Sequence, residues 1–134
     1  MPEFTGVHHI ALSVSNLDVS VPFYEKLFGV PPVAHLVGDT FVRAVFRPLA
    51  STSIGLTQHD PQLAGPFTST RAGLDHVGLG CENRAGIDEW ARHLDDVGIA
   101  HSVIVDGETG TSLSFTDPDN IALEFYVSAV ASGV

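Results

Sequence analysis

A short motif occurs twice in this 134-residue chain, and the distance between its copies constrains the fold more than any other feature. His9 opens the run His-Ile-Ala-Leu-Ser, and His76 opens the run His-Val-Gly-Leu-Gly, 67 residues later. In both runs large apolar residues alternate with small ones, which is typical of a strand with one buried face. Self-similarity at half the chain length indicates two related modules.

The same succession of patterns follows each copy. An amphipathic helix is predicted between Asn16 and Gly29, and a second carries its apolar stripe from Ile87 through Trp90 to Leu94 before Gly98. The predicted strands are residues 6–14, 33–37, 40–46 and 52–58 in the first half, and residues 74–81, 101–105, 111–115 and 121–127 in the second.

These elements predict an α+β fold with two βαβββ modules in tandem, forming a curved, cupped mixed sheet around a central cavity. Module one is residues 1–60, the linker is residues 61–73 and module two is residues 74–134. A chain of 134 residues is short for two independent cores. We therefore expect one domain, residues 1–134, in which the modules share a core.

Composition excludes several classes of partner. The chain has 16 acidic residues and 6 lysines plus arginines, so a formal charge of −10 argues against nucleic acid. The charge also disfavours polyanionic substrates, although one arginine or a metal ion can reverse the field inside a pocket. Cys81 is the single cysteine, and no apolar run reaches membrane-spanning length. We expect a cytoplasmic protein with no membrane partner.

The repeated histidines suggest a metal site. If the modules pack about a pseudo-twofold axis, His9 and His76 approach each other, and Glu124 arrives from a last strand. Two imidazoles and a carboxylate suit a divalent ion such as Fe, Mn, Ni, Co or Zn, with positions left open for substrate. Carrying the 67-residue offset through the chain predicts Thr57 as the counterpart of Glu124. Asp75 is expected to fix a backbone group or the neighbouring imidazole, and His8 to face away from His9.

Five motifs are spread along nearly the whole chain: HIALSV at residues 9–14, FY at 23–24, LFG at 27–29, DHVGL at 75–79 and FTDPDNIALE at 115–124. Together they resemble the vicinal oxygen chelate superfamily of glyoxalases, bleomycin-resistance proteins and extradiol dioxygenases. The resemblance implies that His9, His76 and Glu124 are metal ligands, that the substrate chelates through two neighbouring oxygens, and that the protein is a homodimer.

The branches of this superfamily differ in their further residues. Glyoxalase-type members take a fourth ligand from the position assigned above to Thr57, where threonine is a poor ligand. Fosfomycin-resistance members place a substrate arginine just after the position of Glu124, and none occurs here. Extradiol dioxygenases add a histidine and a tyrosine for proton transfer. His59, His101 and Tyr126 are the candidates for those catalytic roles, together with Glu124.

Two functions are therefore predicted. The first is a metal-dependent lyase, isomerase or dioxygenase acting on a small molecule with vicinal oxygens. The alternative is a metal-free, bleomycin-resistance-like protein that binds a ligand or antibiotic in the same groove.

Overall fold

The computed structural model describes residues 1–63 and 65–129. Within them the elements follow the order βαβββ twice. The first set is β1 (His9–Ser13), α1 (Leu17–Phe28), β2 (Ala34–Val37), β3 (Phe41–Phe46) and β4 (Ser53–His59). The second set is β5 (Val77–Gly80), α2 (Arg84–Asp96), β6 (Val105–Asp106), β7 (Gly110–Thr116) and β8 (Ala122–Ser128).

The chain divides into two compact units, Met1–Gly65 and Pro66–Val134, and the division falls inside the predicted linker. Each unit contains one mixed four-stranded sheet, in the order β1-β4-β3-β2 or β5-β8-β7-β6. The first strand of each sheet is parallel to the last, and the remaining pairs are antiparallel. The predicted α+β class and the two tandem βαβββ modules are confirmed.

One face of the first sheet packs against α1. Leu12 and Leu56 alternate with small residues along their strands. Both are buried together with Phe46 of β3 and with Tyr24 and Leu27 of the helix. The helix begins where the Asn16 side chain accepts a hydrogen bond from the Asp18 backbone N–H. The opposite face carries His9, Ala11 and Ser13, all exposed, so the small-residue face predicted for β1 is the open face of this unit.

An aromatic stack organises the core of the second unit. Phe125 of β8 lies between Trp90 of α2, at a ring-centroid distance of 4.1 Å, and Phe115 of β7, at 5.4 Å. Ile87 and Leu94 of the same helix are fully buried. The predicted apolar stripe of α2 is therefore its sheet-facing side, and the other face of the sheet is left for the site.

The offset between the modules changes along the chain. Asn16 and Asn83 cap the two helices and are 67 residues apart. Gly29 and Gly98 follow the helices in left-handed conformation, with φ of 70° and 75°, and are 69 residues apart. The second module thus contains two additional residues between cap and glycine, and every later strand shifts by two.

Strand pairing shows the consequence for the site. Ala11 pairs with Gly55 in the first sheet, and Gly78 pairs with Glu124 in the second. Gly55 is therefore the counterpart of Glu124, and the prediction of Thr57 was wrong. The prediction used the 67-residue offset throughout, whereas the strands that follow the helices are related by 69 residues.

The strand predicted at residues 101–105 is also shorter than expected. Only Val105–Asp106 forms β6, with a separate bridge between His101 and Phe115. The Ser102 side chain explains the interruption, because its hydroxyl donates to Val103 O and accepts from Ser114 N. Such local side-chain bonds compete with a regular ladder.

No helix in the described ranges is both long and apolar enough to cross a membrane.

We predict that Phe125→Ala destabilises the protein by about 3–5 kcal/mol, because it removes a large ring from a filled core. Phe125 is 2% exposed, whereas Val37 is 83% exposed. Val37→Ala is the control and should change stability by less than about 0.5 kcal/mol. Urea unfolding followed by tryptophan fluorescence measures both variants. Equal midpoints would contradict the assignment of this stack to the core.

Candidate metal centre

Two of the predicted ligands meet in the second unit. Nε2 of His76, just before β5, lies 3.2 Å from Oε1 of Glu124 in β8. The parallel pairing of these strands puts Glu124 beside Gly78. A Cβ on Gly78 would lie 3.4 Å from Oε1, so the absent side chain leaves the path along which the carboxylate reaches His76.

Asp75 holds the other side of the imidazole. Its Oδ1 lies 2.6 Å from Nδ1 of His76, which confirms that it fixes the neighbouring ring. We assign the Nδ1 proton to this bond because a carboxylate can only accept. A neutral His76 then presents the Nε2 lone pair to a second carboxylate, Glu124. Two acceptors at this distance require a proton or a metal cation between them.

In the absence of metal, a proton meets this requirement. The hydrogen bond that His76 donates to Asp75 raises the pKa of His76 above its ordinary value, burial lowers it, and the nearby charge of Glu124 raises it. The raised pKa means that protonated His76 stabilises the fold at low pH, and that this contribution is lost as pH rises through the folded-state pKa.

The pair also fits a metal ion. Nitrogen and oxygen ligands at about 2.1 Å from one ion are about 3.0–3.4 Å apart, and the observed separation is 3.2 Å. The two side chains line a cavity of about 390 Å³, together with Asp75 and three residues of β7, namely Ser114, Phe115 and Thr116. Across residues 1–63 and 65–129, no three His, Cys, Asp or Glu side chains form a group able to hold a metal. The third predicted ligand, His9, belongs to the first unit.

His9 stands at the start of β1 on the open face. Its Nδ1 lies 2.9 Å from Nδ1 of His8, and the two rings meet edge to face at 5.2 Å. The expectation that His8 faces away was wrong, because β1 begins at His9 and strand alternation does not extend to His8. When His9 donates this hydrogen bond, its Nε2 lone pair is available to a metal.

The first unit offers no carboxylate at the position of Glu124. Gly55 stands there, and a Cβ on it would lie 3.2 Å from Cδ of Arg43. The aliphatic part of the Arg43 side chain therefore covers this place, and its Nε donates to Thr57 Oγ1 at 2.7 Å. The pairing of Arg43 with Thr57 was not predicted from the sequence. It follows no motif and is found only when the change of offset from 67 to 69 residues is known.

The structure separates two predicted catalytic histidines from the ligand positions in their own units. His9 pairs with Ser53, and His59 is six residues further along β4, about 20 Å away at 3.3 Å per residue. His101 shares the helix-facing side of the second sheet with Phe115. Both of its ring nitrogens are engaged, Nδ1 with Ser102 O and Nε2 with Asp95.

Tyr126 occupies the same sheet face as Glu124, as predicted from their spacing. Its ring lies over Gly110, where an added Cβ would collide with the phenol. The hydroxyl donates to Thr109 Oγ1 at 3.2 Å. The phenol is thus directed toward the β6–β7 turn, and it does not line the cavity beside His76.

Comparison with known proteins agrees with this fold. Residues 6–125 match the profile of the Glyoxalase/Bleomycin resistance protein/Dioxygenase superfamily. A glyoxylase/bleomycin resistance protein/dioxygenase domain from Frankia sp. is 32% identical, with a TM-score of 0.85 over 94% of this chain and 99% of that one. The chain belongs to this superfamily.

Two further similar proteins are described with a substrate or a bound ligand of their own. A trivalent organoarsenical cleaving enzyme of Thermomonospora curvata is 33% identical over 91 residues, which are 68% of this chain and 54% of that protein. The chain thus spans about half the length of this relative. A variant of the fosfomycin resistance protein FosX of Listeria monocytogenes, 17% identical with a TM-score of 0.67 over 96% of each chain, was crystallised with Mn(II) and 1S,2S-dihydroxypropylphosphonic acid.

We predict that Asp75→Asn lowers the pKa of His76 in the metal-free protein, because the largest contribution raising it is removed. The Cε1–H resonance of His76, followed by NMR as a function of pH, measures the change. His101 is the internal control, since its pKa is raised by Ser102 and Asp95 instead. An unchanged His76 titration would contradict the assigned hydrogen bond.

Proposed function

We propose that this protein is a metal-dependent enzyme acting on a small molecule with two neighbouring oxygens. His76 and Glu124 provide two metal ligands, and His9 provides the third. The observation that carries the proposal is the 3.2 Å approach of His76 Nε2 to Glu124 Oε1 while Asp75 occupies Nδ1. Nothing else in this arrangement compensates two facing acceptors except a cation or a proton.

Each side chain has a defined part in this proposal. Asp75 holds the His76 ring in the tautomer that exposes Nε2, and Gly78 leaves room for the Glu124 carboxylate. Ser114 and Thr116 border the cavity with hydroxyl groups that can orient a polar substrate. A bound divalent ion supplies Lewis-acid stabilisation of negative charge that develops on the substrate oxygens.

The donor set favours dioxygenation among the predicted reactions. Two histidines and one carboxylate on one face of an ion are typical of non-haem Fe(II) oxygenases. The counterpart of a fourth ligand is Gly55, which has no donor side chain, so an additional coordination position stays open. A vicinal diol such as a catechol is the substrate class that this arrangement suits, with lyase or isomerase chemistry as the alternatives.

Cleavage of trivalent organoarsenicals, the activity named for the Thermomonospora relative, receives less support from the residues of this chain. Trivalent arsenic is a soft centre that thiolates bind well. Cys81 is the only cysteine, and burial raises the pKa of its thiol, which reduces the thiolate fraction. A pair of thiolates from this chain is therefore not available to hold such a substrate.

A metal-free binding protein is the second candidate. It is favoured by the same contacts of His76 with Asp75 and Glu124, because a protonated His76 donates to both carboxylates without any metal ion. The two candidates differ in what they require between Nε2 and Oε1, and metal analysis separates them.

We predict that the purified protein binds about one equivalent of Fe(II) or Mn(II) and that Glu124→Ala abolishes this binding. Metal analysis after dialysis and titration calorimetry measure the stoichiometry. Glu89→Ala removes an exposed carboxylate from α2 and is the matched control, expected to retain the metal. Unaltered metal affinity in Glu124→Ala would refute the ligand assignment. A protein that contains no metal, binds catechol and leaves it chemically intact would favour the second candidate.

We predict that Asp75→Asn weakens metal affinity by roughly 10- to 100-fold, because the imidazole loses the partner that fixes its tautomer. Competition with a chromophoric chelator at pH 7.5 gives the ratio of affinities. Asp88→Asn, which alters a carboxylate paired with Arg84, is the control and should leave the affinity unchanged. Equal affinities in the wild type and Asp75→Asn would remove Asp75 from the site.

A further inference from the structure

We propose that Arg43 binds an acidic group of the substrate, so that the substrate is a small anion bearing the vicinal oxygens. This inference rests on the proposed function, because it assigns a substrate class to the same site. It is carried by the placement of one guanidinium group on the open face of the first sheet.

The Arg43 side chain is held in a fixed position. Its Nε donates to Thr57 Oγ1 at 2.7 Å, and Thr57 is buried. Its Cζ lies 5.0 Å from the centroid of the Phe41 ring, within the range of a cation–π interaction. Ordering a long side chain in advance reduces the entropy lost when a ligand binds.

The charge of this side chain has no counterpart nearby. No carboxylate forms an ion pair with Arg43 anywhere in residues 1–63 and 65–129. By contrast, Arg84 binds both Asp88 and Asp106. A guanidinium has five N–H donors, and the bond to Thr57 uses only the one on Nε. The two terminal amino groups keep the geometry that binds a carboxylate or phosphonate through two parallel hydrogen bonds.

The position relative to His9 connects this group to the metal site. Arg43 pairs with Thr57, Thr57 pairs with Ser13, and His9 lies on the same open face four residues before Ser13. The Cα atoms of His9 and Ser13 are about 13 Å apart at 3.3 Å per residue, and Arg43 lies two strands to the side of β1, a further ~10 Å at about 4.8 Å per strand. The aliphatic part of Arg43 leans over Gly55, one row closer to His9, which shortens the span that a substrate must bridge.

The glycine at position 55 is what makes this arrangement possible. In the second unit the corresponding place is crossed by the Glu124 side chain, and the counterpart of Arg43 is Ser112. The first unit thus carries a cation where the second carries a carboxylate. In a chain with a formal charge of −10, this local reversal of sign selects a single acidic group rather than a polyanion.

A matched pair of probes tests the proposal. Catechol and 3,4-dihydroxybenzoate share the vicinal oxygens, and only the second has a carboxylate. We expect the metal-loaded protein to bind 3,4-dihydroxybenzoate roughly 10- to 100-fold more tightly than catechol, as charge-assisted hydrogen bonds imply. Arg43→Met should abolish this preference without altering catechol affinity. Titration calorimetry measures both ligands.

Two control variants isolate the role of the guanidinium. Arg47→Met removes the same charge from an exposed position just after β3 and should keep the preference. Arg43→Lys keeps the charge but lacks the planar fork, and should retain only part of it. An undiminished preference in Arg43→Met, or none in the wild type, would overturn the proposal. If no metal binds but Arg43-dependent binding of 3,4-dihydroxybenzoate persists, the anion subsite stands and the metal assignment fails.

Discussion

Parallel pairing between the first and last strands of each module is the interaction on which the candidate site depends. In the second unit it places Gly78 of β5 beside Glu124 of β8, and so brings a carboxylate from near the end of the chain to a histidine 48 residues earlier. Parallel neighbours require a crossover connection, and here α2, β6 and β7 provide it. The aromatic stack of Trp90 and Phe125 anchors that crossover to the sheet.

Most helices and strands of this fold can be predicted from the sequence. The alternation after His9 and His76, the apolar stripe of α2 and the terminating glycines predict the elements, because burial of one face dictates each pattern. The contact between His76 and Asp75 was also predictable, because a carboxylate adjacent to an imidazole can fix the orientation of the ring. The register of the last strand was less accessible. It depends on two additional residues in the second module, one within α2 and one between α2 and Gly98, and neither changes the hydrophobic period of the helix.

The positions of the predicted catalytic histidines could not be derived from the sequence for the same reason. His59 and His101 are histidines near strand ends, but their location depends on pairing over long sequence distances. The bond between His101 and Asp95 reflects where α2 ends, and the distance between His59 and His9 reflects how far β4 continues past β1. The role proposed for Arg43 has no signal in the sequence, because an isolated arginine in a strand has no pattern until its cross-strand neighbours are known.

Gly78 controls the approach of the Glu124 carboxylate to His76, although it is neither a proposed metal ligand nor a charged residue. Its missing side chain is the space over which the Glu124 carboxylate passes to reach His76. A methyl group there would only touch the carboxylate, whereas a branched side chain would occupy its path. The size of the side chain at this position therefore sets how closely the Glu124 carboxylate approaches His76, without any change in a titratable group.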